Sequence, residues 1–162
     1  SATQIRDFPK GEKPLISLRC VDESNLEACS NLQCKEEQCQ FANSPVWSLL
    51  QTAYTSIHDH CKLYAIQNDD VVVGMVRLDF SLHDDCYMFT NLIIDKKYQR
   101  RHYATEAVQQ ILEVFRNDNQ FDTVKIHVAE KNSNAIALYR NIGFRFCGKS
   151  KDNLFNVFEY RL

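Results

Sequence analysis

Four cations stand immediately ahead of an amphipathic helical pattern in DKKYQRRHYATEAVQQILEVF, residues 95–115: Lys96, Lys97, Arg100 and Arg101. Helices favour cations at the opposite end, where the macrodipole is negative. A strand that feeds a tight loop into a helix N-terminus is a ready anion site. The first helical N–H groups lack intrahelical acceptors, and the dipole attracts negative charge. Consecutive loop N–H groups add a nest. The arrangement therefore suits a docked phosphate-like anion; the other reading is a solvated basic face. Two more side chains carry proton-transfer chemistry. His127 lies mid-strand in TVKIHVA and faces away from Ile126 and Val128. An imidazole exchanges its proton near neutral pH, and a histidine satisfied within the core is the alternative. Tyr139 shares a helical stripe with Ala135, Ile136 and Ile142, which by periodicity alone reads as core. The seven cysteines are odd in number, form no CxxC and show no zinc-like Cys/His spacing, so free thiols and no metal are expected.

Placing these groups together takes a strand–helix–strand unit. YMFTNLIID reads as a strand. Ala104, Ala107, Val108, Ile111, Leu112 and Phe115 then follow helical spacing. TVKIHVA is the next strand, and the crossover between them requires a parallel, right-handed pair. A short helix capped by Asn132, Ser133 or Asn134 and ended by Gly143 follows. The segments 144–150 and 154–162 close the chain as a hairpin. Upstream, 15–21 reads as a strand, and Asp22 or Ser24 as the cap of a helix running to about Leu32. Residues 34–45 are irregular, and Pro45 opens the helical PVWSLLQTAYTSI. CKLYAIQ and VVVGMVRLDF are strands joined by Asn68, Asp69 and Asp70, and a polar turn at His83, Asp84 and Asp85 leads into the central strand.

The chain of 162 residues suits one domain, 1–162. A net charge of −2 argues against a non-specific nucleic-acid binder. No apolar run approaches the roughly 20 residues that cross a bilayer. The opening SATQIRDFPKGEKP is polar and has no apolar h-region, so a cytoplasmic location is expected, with no membrane partner.

LIIDKKYQRRHYATEAV followed by VAEKNSNAIALYRNIGF resembles the two halves of the acetyl-CoA site in the GNAT superfamily of N-acetyltransferases. The family's loop reads Gln/Arg-x-x-Gly-x-Gly/Ala. Here it is Gln99, Arg100, Arg101, His102, Tyr103 and Ala104, with His102 in the place of a Gly. The second signature, Asn-x-x-Ala-x-x-Leu-Tyr ending in Gly-Phe, is met by Asn132, Ala135, Leu138, Tyr139, Gly143 and Phe144. The likeness covers 91–148. LRCVDESN, KEEQCQF and SLLQTAY in the N-terminal third resemble the bacterial spermine/spermidine acetyltransferases.

This resemblance implies an α/β (α+β) fold: a mixed, mostly antiparallel sheet with a central splayed parallel strand pair and flanking helices. It implies acetyl-CoA as cofactor, its pantetheine arm lying beside the strand of Leu92, Ile93 and Ile94. The diphosphate would rest on the loop from Gln99 through Arg100, Arg101, His102, Tyr103 and Ala104 to Thr105. Asn132, Ala135 and Leu138 belong to the second half of that site. Tyr139 is implied as the general acid toward the leaving thiolate, and a main-chain N–H near Ile93 as the oxyanion donor. His127 is the candidate base, with a water chain as its rival; Thr90 stands where polyamine-type members often carry an acid. The expected reaction is direct transfer to a primary amine, polyamines first, with Glu36, Glu37, Asp84 and Asp85 as acceptor-side carboxylates. Phe41, Trp47 and Tyr54 are candidate groove walls. Protein or aminoglycoside amine acetylation and a non-catalytic acyl-CoA sensor are the alternatives, and a homodimer is the expected assembly.

Overall fold

A computed structural model describes residues 14–55, 59–81 and 84–162. The expected helix end toward Ile57 and the turn residue His83 lie outside the described residues. The elements run β1 (Ser17–Cys20), α1 (Leu26–Ser30), a 3-10 turn (Glu36–Gln38), α2 (Pro45–Tyr54), β2 (Cys61–Asn68), β3 (Val71–Asp79) and β4 (Tyr87–Ile94). Then come α3 (Tyr103–Asp118), β5 (Thr123–Ala129), α4 (Ser133–Ile142), β6 (Arg145–Lys149) and β7 (Phe155–Arg161). They build a seven-stranded sheet in the order β1-β2-β3-β4-β5-β7-β6. Every neighbour is antiparallel except β4 and β5. This is the mixed sheet with one parallel pair that the sequence implies.

Local chemistry explains most of the boundaries. Ser44 caps α2 by accepting the Trp47 N–H at 3.1 Å, and Pro45 fills the first helical position, where its missing N–H costs nothing. Asn132 caps α4 by accepting from Ala135, and Gly143 ends it at φ 120. The start of α1 differs from expectation. Asn25, not Asp22 or Ser24, precedes the helix, which ends at Ser30. The Asp22 carboxylate is occupied by the Ser24 N–H and hydroxyl, and Asn25 folds back to donate to the Cys20 carbonyl. These short polar side chains close a local turn instead of capping.

The main core lies between the sheet and the helix pair α3–α4. Val108, Ile111, Leu112 and Phe115 pack against Val76, Leu78, Tyr87, Val124 and Ile126. Tyr87 stacks on Phe115 with ring centroids 4.3 Å apart. Ala104 is only half-buried, whereas Glu106 is buried and accepts the Ile16 N–H at 3.0 Å. The carboxylate thereby holds the strand edge onto α3. On the opposite face, Cys29 and Leu32 cover Ala65 and Met75.

The pairing that matters for function is the one that stops. β4 and β5 are in register only at Tyr87–Val124 and Met88–Lys125. Beyond that point β4 follows β3 while β5 follows β7 along its whole length. A bulge marks the parting. Met75 faces Ile93 and Arg77 faces Thr90, so β4 carries one extra residue, and Asn91 there takes φ 53. Asn91 is anchored by donating to the buried Ser48 hydroxyl of α2 at 3.1 Å. Across the bulge Gly74 leaves room that no side chain can fill. An added Cβ would press into the Ile93 carbonyl oxygen, well inside contact distance. Gly74→Ala is therefore expected to destabilise the chain by about 1–3 kcal/mol, read from urea denaturation midpoints. An unchanged midpoint would show that β4 yields there at no cost.

Candidate active site

The parted strands open a cleft of about 900 Å³. Its two walls are β4 from Phe89 to Ile94 and β5 from Ile126 to Ala129. The loop before α3 closes one end, one side of α4 forms the base, and the segment from Cys34 to Asn43 lies over the top. Each wall strand is paired on its outer edge only. The inner edges therefore present backbone N–H and C=O groups that an extended, amide-bearing ligand can satisfy.

The loop between β4 and α3 is built around Asp95. This buried carboxylate accepts the Gln33 and Lys97 N–H groups, both at 2.9 Å. Its neighbour Lys96 donates its backbone N–H to the Gln33 carbonyl. Arg100 and His102 both sit in the left-handed region, at φ 61 and 62. They curl the loop so that His102 becomes the residue before the helix, without a side-chain cap. His102 stays exposed at the cleft lining, and its imidazole does not fill the space. Tyr103 seals the loop from below, buried with Ile16, Ile66 and Val73. The first turn of α3 thus opens onto the cleft at Ala104 and Thr105. Its unsatisfied N–H groups and the positive end of the dipole are the features that suit an anion.

The cations divide. Arg100 lines the cleft, while Lys96, Lys97 and Arg101 are exposed outside it. The Arg101 guanidinium lies over the Tyr98 ring at 5.8 Å from its centre, so of this residue only the main chain is left to face the expected anion site. Gln99 reaches the lining, but its side-chain amide already donates to the Ile94 carbonyl and to Gln38. It braces the loop against the 3-10 turn.

Leu92, Ile93 and Ile94 line one wall, and Asn132, Ala135, Leu138 and Tyr139 line the α4 side. Tyr139 is 9% exposed, its ring held by Phe89 at 5.8 Å and Phe144 at 5.7 Å. Burial pushes its phenol well above the ordinary tyrosine range, so the hydroxyl keeps its proton at neutral pH. His127 is exposed on the opposite wall, stacked on Phe155 at 6.2 Å, so it is no core histidine. Cys34 also reaches the cleft, but burial, and then the neighbouring Cys39 thiol, raise its pKa. A thiol held protonated is a poor nucleophile.

On the expected acceptor side, Glu37 alone of the four carboxylates reaches the lining. Glu36 is exposed in the 3-10 turn and outside it. Asp84 and Asp85 precede the paired end of β4, and Asp85 lines a separate surface hollow with Arg116 and Asp122. Phe41 walls the cleft; Trp47 and Tyr54 point to solvent, 53% and 82% exposed. The fold adds Arg77, which lines the cleft, with its guanidinium bonded to Gln51 at 2.7 Å. It also gives Thr90 a buried hydroxyl oxygen that has no hydrogen-bond partner among the described residues. The signal for Arg77 was an Arg inside an apolar strand; the bulge beside Thr90 was signalled by Asn91, a poor strand former, inside YMFTNLII.

Comparison with known proteins agrees with this geometry. A family model described as acetyltransferase (GNAT) family matches residues 26–144. N-alpha-acetyltransferase 50 of Danio rerio is 28% identical over 93 residues, 56% of this chain and 55% of that protein. The chain thus spans about half the length of that relative. The spermidine N-acetyltransferase of Vibrio cholerae, solved with CoA and spermine, superposes with a TM-score of 0.70 at 16% identity, over 91% of this chain and 94% of that one. The aminoglycoside acetyltransferase AAC(6')-Ib, solved with coenzyme A, gives 0.70 at 14% identity, over 90% and 94%. At such identities these two likenesses establish the fold.

His102→Gly removes a left-handed non-glycine residue whose conformation costs about 1–2 kcal/mol, partly offset by the greater freedom of glycine in the unfolded chain. Stability equal to or above the parent, and coenzyme A affinity equal or tighter by calorimetric titration, are expected. A large loss of affinity would show that the imidazole itself holds the ligand.

Proposed function

This chain belongs to the acetyltransferase (GNAT) family, and from that footing we propose that it moves the acetyl group of acetyl-CoA directly to a primary amine. The observation that carries the reading is the alignment of three features on one cleft: two half-paired strand edges, the open first turn of α3, and a buried, protonated Tyr139. The residues fit the coenzyme. The edges of β4 and β5 suit the amides of a pantetheine arm, and the corner at Arg100, Ala104 and Thr105 suits a diphosphate. Bound acetyl-CoA would supply the thioester carbonyl that the amine attacks.

The chain's own groups then divide the work. Backbone N–H groups of the bulged strand near Ile93 are the candidate donors toward the carbonyl oxygen as charge develops on it. Tyr139 donates its hydroxyl proton toward the departing sulfur. His127, exposed on the facing wall, takes the amine's proton directly or through water. Burial raises the Cys34 pKa and so makes this thiol a poor acyl carrier, which favours transfer in a single step.

For the acceptor, a polyamine of the spermine/spermidine type is the first reading, with Glu37 and the wall residue Phe41 on its side. One carboxylate gives an extended polycation a single ion pair among the described residues. That scarcity favours a peptide amine as the second reading, in line with the N-alpha-acetyltransferase relative. Thiol release from acetyl-CoA with spermidine, spermine, a lysine peptide, a peptide with a free N-terminus and kanamycin separates these acceptors. Coenzyme binding with no thiol release from any of them would leave a sensor in place of an enzyme.

Two outcomes test the mechanism. Tyr139→Phe is expected to lower kcat by about 100-fold or more, with coenzyme affinity kept; an unchanged rate would remove the phenol from the reaction. Because burial raises the Tyr139 pKa, its proton is still present at about pH 10. The profile of kcat/KM should therefore rise as the amine becomes neutral, with no fall from loss of the tyrosine proton up to that pH. A fall in the parent that begins well below it and vanishes in Tyr139→Phe would contradict the assignment.

A further inference from the structure

A second cluster of reactive side chains lies away from the cleft lining. His60 immediately precedes β2, Cys61 opens that strand, and Asp79 closes β3 directly across from Cys61. One ligand-type atom from each — an imidazole nitrogen, the Cys61 Sγ and an Asp79 carboxylate oxygen — falls within 4.8 Å of both others. His60 Nε2 and Asp79 Oδ1 are 3.8 Å apart. That same Oδ1 is buried and has no hydrogen-bond partner among the described residues. A buried carboxylate oxygen left without a donor is costly, and a cation resolves the cost. Cys61 is 5% exposed, so its sulfur faces this carboxylate and little solvent.

We propose that His60, Cys61 and Asp79 form a binding site for a thiophilic divalent cation, zinc foremost, with water in the fourth position. Nitrogen, sulfur and oxygen are the donors zinc takes, at about 2.0–2.3 Å, in tetrahedral geometry. Donors at those lengths stand roughly 3.3–3.8 Å apart, so the His60–Asp79 separation needs only a small closure. Calcium and magnesium call for oxygen sets and do not suit a thiol. On binding, the Sγ–H bond breaks, the sulfur electron pair goes to the metal and the proton is released to solvent. No redox partner is needed. Asp79 lies two residues along β3 from Arg77, on the same strand face. The bound cation thus clasps the ends of β2 and β3. The site is invisible to local spacing, because Asp79 is separated from His60 and Cys61 by a whole hairpin.

The test uses the full chain, reduced and stripped with a chelator, then titrated with Co²⁺ and Zn²⁺. One equivalent of Co²⁺ is expected to raise a thiolate-to-cobalt charge-transfer band and the intense visible bands of a four-coordinate ion, both abolished by Zn²⁺. Cys61→Ser should remove the charge-transfer band. Asp79→Asn, which keeps the side-chain shape, should weaken Zn²⁺ at least tenfold, and Cys20→Ser, an exposed thiol on β1, should change neither. Zn²⁺ should raise the melting temperature of the parent and of Cys20→Ser but not of Asp79→Asn. A charge-transfer band that survives Cys61→Ser, or Zn²⁺ affinity untouched by Asp79→Asn, would overturn the proposal.

Discussion

Backbone hydrogen bonds left unmade between two adjacent parallel strands govern the rest of this molecule. A sheet gains by pairing every N–H and C=O it can, yet β4 and β5 pair for two residues and then separate. The separation is held from outside. β3 keeps one strand and β7 keeps the other, so neither can swing inward without breaking a longer ladder. The extra residue at the Asn91 bulge, its tie to Ser48 and the missing side chain at Gly74 set where the parting begins. Below that point, stacked Tyr87 and Phe115 pin the closed end. The cleft is a consequence of ladder geometry and needs no moving part to exist.

Charge has a smaller share in the anion corner than the basic sequence suggests. Of four cations near the loop, only Arg100 reaches the lining. The more general attraction comes from main-chain groups at the open turn of α3, aimed by two left-handed residues and fixed by the Asp95 carboxylate. Such donors cost no side-chain entropy to order, because the helix has already ordered them. The other basic side chains raise the local potential, and screening by salt limits their effect.

The places where the fold departs from local sequence reading share one cause. Helical and strand periods are local, so α3, α4 and β5 were legible from their spacing, and Asn132 and Gly143 from their capping chemistry. Direction in loops is not periodic. Arg101 and Arg100 are adjacent, yet one turns onto Tyr98 and the other into the cleft. Asp84 and Asp85 lie in the turn just before the paired end of β4, away from the cleft lining, because the splay opens toward the other end. Asp22 has the side chain of a cap, but Ser24, two residues on, takes it first.

What the residues alone determined was the set of elements, their order, the loop that opens α3 and the tyrosine frame on α4. Each depends on contacts within a few positions along the chain, where spacing and side-chain type are sufficient. Only the tertiary structure decided that β4 and β5 part after Met88, that Tyr139 is buried yet borders the cleft, and that His127 stands exposed across from it. Those outcomes depend on which strand edges find partners far along the chain, a competition between ladders that no local window of sequence contains.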